Sequence, residues 1–305
     1  MGDLQNEKQE ICYRAYGLNF LSELPLSELP SEPGKPDVII RYGIVPEELS
    51  PPRNEGVLYQ ATENQFLLKL NGIGRYLVQG GREIIVDRAV GSNDDEVRLF
   101  LLGSCLGVLL HQRGILALHA SGVRTDQGAI LFAGTSGNGK STLLASFVRR
   151  GYQMIADDIA GIVLDPACRP MVLPGYPQIK IWTDAAERLG VSKESLRRLR
   201  PRFEKFAMSS VSGIADVPLP LGTIYTLHIH NEADIRIEAL EGSARFAAVR
   251  QSTFRESFLD ILGTRPAHFR LVAAVANTAR LSRVFRPRYS FTVEGIADMI
   301  EKDWA

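Results

Sequence analysis

Cysteine is scarce. Cys12, Cys105 and Cys168 are the only three in 305 residues, far apart and without a C-x-x-C pair. That spacing supplies neither a disulfide framework nor a zinc site, and it fits a reducing compartment. Net charge is absent as well: Lys+Arg and Asp+Glu balance at 35 each, so bulk charge draws the chain to neither nucleic acid nor an acidic membrane surface. Long apolar runs are missing. The longest, Leu99 to Leu110, is too short to span a bilayer and contains Ser104, so it reads as a buried helix. The opening residues are acidic and polar, unlike the basic-then-apolar start of a signal peptide. Repeats and low-complexity tracts are not evident. These absences lead to the expectation of a cytoplasmic protein with no nucleic-acid or membrane partner; homo-oligomer formation is left open.

What is present begins with apolar residues, 45% of the chain, ample for a sizeable core. Charge is unevenly spread. Residues 1–60 carry five basic and ten acidic side chains, whereas residues 245–288 carry nine Arg against Glu256 and Asp260. The strongest local pattern is Gly134-Thr135-Ser136-Gly137-Asn138-Gly139-Lys140-Ser141-Thr142, which fits G-x-x-x-x-G-K-[ST] at every fixed position. Glycines let backbone N–H groups turn onto phosphate oxygens that a Cβ would obstruct. In such a loop Lys140 reaches the β- and γ-phosphates, the Ser141 hydroxyl holds Mg²⁺, and the following helix points its positive end at the anion. The flanks agree: Ala129 to Ala133 is a short buried-strand run, and Leu143, Leu144, Phe147 and Val148 have helical spacing before Gly151.

Along the chain, residues 11–87 show short β-type runs broken by Pro and Gly, including a Gly80-Gly81 turn. The proline-bearing stretch Leu24 to Pro30 is excluded as a central strand. A long helix is expected from Asn93 or Asp94, and Ile115–Val123 reads as one strand in a hairpin with the loop strand. Gln153 to Ala156 is apolar and ends in Asp157-Asp158, placing acids where Mg²⁺–nucleotide chemistry needs them. Downstream, the spacing predicts a helix over Asp184–Leu189, an exposed basic segment over Lys193–Lys205, a hairpin of Thr223–His230 with Asp234–Leu240, and helices over Thr253–Leu262, His268–Phe285 and Thr292–Trp304. Asp184 followed by Glu187 suits a helix N-cap more readily than a metal site. His228 and His230 share a strand face without a third ligand nearby. Arg286 and Arg288, flanking Pro287, are candidates to clamp a phosphate or an acidic peptide.

His119, then about twenty residues to the glycine loop with Lys140, then a helix, Gly151-Tyr152 and the strand ending in Asp157-Asp158, together resemble HPr kinase/phosphorylase over roughly residues 112–190. The likeness is to HPr-kinase-like proteins, some of which phosphorylate the C-terminal serine of a lasso peptide precursor. It implies an α/β fold: a mixed-sheet core similar to HPr kinase and phosphoenolpyruvate carboxykinase, carrying the P-loop at 91–305. A small β-rich N-terminal module, 1–90, precedes it. It also implies site roles. Gly134, Ser136, Gly137, Asn138, Gly139, Lys140, Ser141 and Thr142 bind ATP, and Ser141 and Asp158 hold Mg²⁺. Asp157 takes the acceptor's proton, Asp158 supports it or the metal, and His119 lines the pocket. The family's later glycine-rich signature is not found, and Leu173 to Pro177 matches it poorly. Nor do residues 1–90 resemble the regulatory domain of the HPr enzymes. The expected activity is transfer of the γ-phosphoryl group of ATP to a serine hydroxyl of a peptide or protein. An ATP-binding regulator without phosphotransfer, or a kinase of a small-molecule hydroxyl, would use the same core.

Overall fold

A computed structural model describes residues 10–50, 54–191, 196–200, 203–209, 213–289 and 292–304. It is a mixed α/β structure with three sheets. The first contains eight strands: Ile11–Ala15, Leu18–Ser22, Val38–Tyr42, Asn54–Gly56, Tyr59–Ala61, Gln65–Leu70, Gly74–Gln79 and Glu83–Arg88. Counted by chain order they lie 1-2-3-8-7-6-5-4. Gly80 and Gly81 both take positive φ, 59° and 64°, in the turn joining the last two strands, a conformation that glycine adopts without strain. Apolar side chains on one face of this sheet, Phe20, Phe66 and Tyr76 among them, share a core with the helical segment at residues 94–112. Burying each such side chain contributes about 1.5–3 kcal/mol.

That segment starts where expected. The Asn93 side chain accepts from the backbone N–H of Asp95 at 2.8 Å and of Glu96 at 3.4 Å, and Asp94, Asp95 and Glu96 fill the first turn. It runs as Asp94–Phe100, a π-helical turn Leu101–Cys105, and Leu106–Gln112. Its core does not end at the first sheet: Tyr13 and Tyr16 also share it with Ile159, Leu173, Tyr176, Phe258 and Leu262.

The second sheet has nine strands. In spatial order seven are Met154–Ala156, Ala120–Thr125, Gly128–Ala133, Leu219–His230, Pro170–Leu173, Ala160–Leu164 and Leu116–Leu118. Arg280–Pro287 runs parallel beside the far half of Leu219–His230, and Arg236–Ala239 lies outside it. The inner strand Gly128–Ala133 alternates its apolar side chains between two cores. Ile130 and Phe132 meet Leu144 and Phe147 of the helix Lys140–Arg149 and Ile296 and Ile300 of the helix Val293–Trp304. Ala129 and Leu131 face Val249, Val272 and Val275 of the helices Ser243–Gln251 and Arg265–Thr278. Helices on both faces explain why this strand has no polar side. A third, small antiparallel sheet joins Gln178–Trp182, Phe203–Ser209 and Leu196–Arg200 in that order.

Several sequence expectations are corrected. Thr223–His230 and Asp234–Leu240 do not form a hairpin, because Arg280–Pro287 inserts between them. The helix expected over His268–Phe285 ends at Thr278, where Ala279 turns extended at φ −74°, ψ 148°, and the next residues become that inserted strand. Buried Leu281 and Val284 stand among arginines there, and apolar spacing over so short a run fits either period. Of the basic segment Lys193–Lys205, Leu196–Arg200 is a paired strand, and Arg197 reaches buried Glu28 of the first sheet's loop; residues 192–195, 201 and 202 lie outside the described residues. The helix expected over Asp184–Leu189 spans Thr183–Arg188, with Trp182 at the N-cap position and no side-chain cap, so Asp184 does not cap it.

Candidate active site

The continuous strand expected over Ile115–Val123 is broken at His119. Leu116–Leu118 pairs with Ala160–Leu164 on one side of the break, and Ala120–Thr125 pairs with Gly128–Ala133 on the other. A matching break occurs at Asp157-Asp158, between Met154–Ala156 and Ala160–Leu164. The two runs stay opposite each other across the break, Gly122 to Ala156 and Leu118 to Ala160, and exchange only their second neighbours, so His119 and the acid pair leave the sheet together. His119 Nε2 comes within 3.6 Å of Asp158 Oδ1. The glycine loop leaves the inner strand at the same end. One cavity of about 370 Å³ is lined by Ser136, Gly137, Asn138, Gly139, Lys140, Ser141 and Thr142, and also by His119 and Asp158.

The loop's shape follows from its glycines. Gly134, Gly137 and Gly139 have φ of 143°, 89° and 96°. A Cβ on Gly134, at the root of the loop, would lie 2.9 Å from the Leu227 carbonyl oxygen. Asn138 Nδ2 donates to that same carbonyl at 2.6 Å, latching the loop to the neighbouring strand. Arg286, which also lines the cavity, clamps the loop: Nε donates to the Asn138 carbonyl at 3.1 Å and Nη2 to the Gly137 carbonyl at 3.4 Å. Burial pulls its pKa below the usual value, yet a guanidinium remains charged. Buried Lys140 donates through Nζ to the carbonyls of Gly134 at 2.8 Å and Thr135 at 3.2 Å. The helix Lys140–Arg149 begins at Gly139 without a side-chain cap, so an anion is the natural partner for its first N–H groups.

The two acids have different surroundings. Asp157 is 5% exposed and accepts three bonds. Its Oδ1 takes the Ser121 hydroxyl at 2.6 Å and the Ser141 hydroxyl at 2.8 Å, and its Oδ2 takes the Lys180 backbone N–H at 2.7 Å. Asp158 is the member of the pair that lines the cavity. Its Oδ2 accepts from Lys180 Nζ at 2.9 Å. Asp158 has φ 69° in a three-residue turn closed by the Ile159 N–H onto the Asp157 carbonyl at 2.8 Å. This is a sparsely populated conformation for a residue with a side chain, and such outliers gather at functional sites.

Lys180 was not singled out in the sequence, although a charge between Ile179 and Ile181 in an otherwise apolar strand was a usable signal. Burial alone would pull its pKa down. The neighbouring Asp158 carboxylate and Tyr176 phenol instead hold it well above the usual lysine value. Ser121 was likewise missed. Asp184, Arg188 and Arg288 line the cavity, as do the exposed aromatic rings of Trp182 and Tyr289. Thr292 Oγ1, in the same lining, is buried and without a hydrogen-bond partner.

These residues fit a nucleotide and its metal. The loop amides, Lys140, Arg286 and Arg288 suit a polyphosphate, and the oxygens of Ser141 and Asp157, 2.8 Å apart, suit a hard cation that takes one or two carboxylates plus substrate phosphates. No family model matches the chain, and no curated protein does. Among solved structures, the HPr(Ser) kinase/phosphatase from Coxiella burnetii is similar over 62% of this chain and 90% of that one, at 10% identity and a TM-score of 0.32. A likeness at that level assigns no activity. The described structure also contains no helix long and apolar enough to cross a membrane.

Proposed function

We propose that the protein is an ATP- and Mg²⁺-dependent kinase that transfers the γ-phosphoryl group to a serine hydroxyl of a peptide or protein. One observation carries this reading: the loop serine, Ser141, is bonded to Asp157 at 2.8 Å while the adjacent Asp158 faces the loop across the same cavity. A phosphate-binding loop needs little more for phosphoryl transfer than a metal-holding acid and a carboxylate near the nucleophile.

The roles of the two acids differ from the sequence expectation. Asp157, fixed by three donors and keeping one acceptor position, would hold Mg²⁺ with Ser141. Asp158 becomes the proton acceptor, since it is the member of the pair that lines the cavity, with Lys180 on its Oδ2 and His119 Nε2 3.6 Å from its Oδ1. Mg²⁺ held at Ser141 and Asp157 would neutralise charge on the phosphates. The acceptor oxygen bonds to the γ-phosphorus, the bond to the β-phosphate oxygen breaks with its electron pair leaving on ADP, and the hydroxyl proton passes to Asp158 Oδ1. Lys140 and Arg286 stabilise the transferring charge, and Lys180 orients Asp158.

A serine at a peptide C-terminus, as in a lasso peptide precursor, carries a carboxylate beside its hydroxyl. The exposed cations Arg188 and Arg288 at the cavity, with Trp182 and Tyr289, suit such an end. The test is to incubate the protein with ATP, Mg²⁺ and peptides ending in serine or in its C-terminal amide, and to weigh the products. Phosphorylation confined to the free-acid serine peptides is the expected result. ATP-dependent thermal stabilisation with no phosphorylated peptide would leave only nucleotide binding.

A further inference from the structure

The hairpin joining Ile11–Ala15 to Leu18–Ser22 has a two-residue turn, Tyr16-Gly17, since Ala15 pairs directly with Leu18. Both turn residues take positive φ, 53° and 70°. Asn or Gly normally occupies the first of these positions, because a large side chain is strained there. A hairpin tip normally lies in water, yet Tyr16 is only 2% exposed. Its backbone N–H donates to the Pro174 carbonyl at 2.7 Å, and its hydroxyl donates to the Ile159 carbonyl at 3.1 Å. Ile159 directly follows Asp158 and supplies the N–H that closes the acid turn.

Two glycines open the slot for the ring. A Cβ on Gly161 would stand 3.0 Å from Tyr16 Cδ1, and one on Gly175 would stand 3.4 Å from the hydroxyl. Burial, and then the nearby Tyr176, Asp158 and Asp157, raise the phenol's pKa well above its usual value, so it stays a neutral donor.

We propose that Tyr16, delivered by the first sheet, is a positioning residue that holds Asp158 in its positive-φ turn facing the cavity, making that sheet a working part of the active site. A strained residue whose hydroxyl reaches the carbonyl of the residue that closes a second strained turn has no comparable value as core packing, which a leucine could supply. The two outliers are linked through Ile159, whose carbonyl takes the Tyr16 hydroxyl and whose N–H closes the Asp158 turn. This inference rests on the phosphotransfer reading for its kinetic consequence, but not for its structural one.

The test is Tyr16→Phe, which keeps the ring in its slot and removes only the donor. The expected crystal structure shows the 159–160 peptide rotated and Asp158 released from positive φ. ATP with Mg²⁺ should raise the melting temperature as it does in the wild type, because the loop is untouched. Turnover should fall about 10–100-fold with KM for ATP unchanged, the signature of a misplaced group rather than lost binding. Tyr16→Leu, with the donor also gone, should show the same kinetic split. If Asp158 keeps its turn and its bond to Lys180 in Tyr16→Phe, the inference is overturned whatever the assay reads. If the wild type never transfers phosphate but the turn relaxes in Tyr16→Phe, the phosphotransfer reading fails and the positioning role stands.

Discussion

The glycine loop and the acid turn face each other across one cavity, and they are held in place by different kinds of bond. Lys140 is tied to carbonyls five and six residues away, so the loop's shape is mostly its own. Asn138 and Arg286 fix where the loop sits rather than how it bends. The acid turn depends on distant parts: Ser121 is 36 residues from Asp157, the Lys180 N–H is 23 away, and Tyr16 is 143 from Ile159. A short segment can therefore preserve phosphate binding almost alone, whereas the orientation of Asp158 integrates all three sheets. Damage elsewhere in the molecule should accordingly impair turnover before it impairs nucleotide binding.

The comparison is broken most directly at the loop. Lys140→Ala should abolish the ATP-induced rise in melting temperature and lower turnover by about 10³-fold or more, because a preorganised cation is lost from both the bound and the transition states. Thermal scans with and without ATP, alongside phosphorylation assays, check both halves. Asp158→Asn should do only the second. It should lower turnover by about 10²–10⁴-fold, the usual contribution of a general base, and leave the nucleotide's thermal effect intact. Asp157→Asn separates the pair further, since it should remove the response to Mg²⁺ titration while a metal-free nucleotide still binds. Equal loss of ATP binding in Asp158→Asn and Lys140→Ala would show that the two regions are not independent.

Lys180 sharpens the comparison in stability rather than rate. Its side chain is 5% exposed and paired with Asp158. Lys180→Met strands a carboxylate in a partly buried place, and breaking such a pair costs about 3–5 kcal/mol. Urea denaturation should register that loss, and the double variant Lys180→Met, Asp158→Asn should recover much of it because no lone charge remains.

Local dependence also explains what could be read from the amino-acid order. The strand, glycine turn and helix at 128–149 are each visible within a few residues, as is the hairpin from Ala120 to Ala133. Asp157-Asp158 was visible as an acid pair ending an apolar strand, but not which of the two faces the cavity, because Ser121 and the Lys180 amide decide that. The break at His119 was hidden: residues 115–123 read as one strand, and it is the exchange of second neighbours around it that interrupts the pairing. Arg280–Pro287 was mistaken for helix because its burial comes from insertion between strands distant in sequence. Tyr16 left no signal beyond an aromatic before a glycine.

The smallest expected effect concerns pH, and it falls mainly on the acid-turn side. Residues 252–254 lie along the short strand before His119: the Ser252 carbonyl accepts the His119 N–H at 2.7 Å, and the Phe254 N–H donates to the Ala117 carbonyl at 2.9 Å. Two buried histidines hold this segment, His268 Nε2 at 2.8 Å from Thr253 Oγ1 and His111 Nε2 at 2.7 Å from the Phe254 carbonyl. Burial, reinforced by His111, Arg265 and Arg250 against the opposing pull of Glu256, lowers the His268 pKa from 6.5 to about 4. Burial lowers that of His111 too. A histidine kept neutral by the fold is protonated more readily in the unfolded chain, so stability is full above about pH 6.5 and declines as the pH falls towards 4. His228, also shifted down by burial and Arg283, adds to the same slope. Urea midpoints at descending pH should therefore decrease between these limits, and His268→Gln should flatten the slope even though it lowers the midpoint at neutral pH. The bonds that Asn138, Lys140 and Arg286 make to shape and seat the loop run to backbone carbonyls, which do not titrate, so the increment that ATP adds to the melting temperature should hold steady over the upper part of this range while the baseline beneath it falls. A slope that survives His268→Gln unchanged would locate the acid sensitivity elsewhere and detach it from the acid turn.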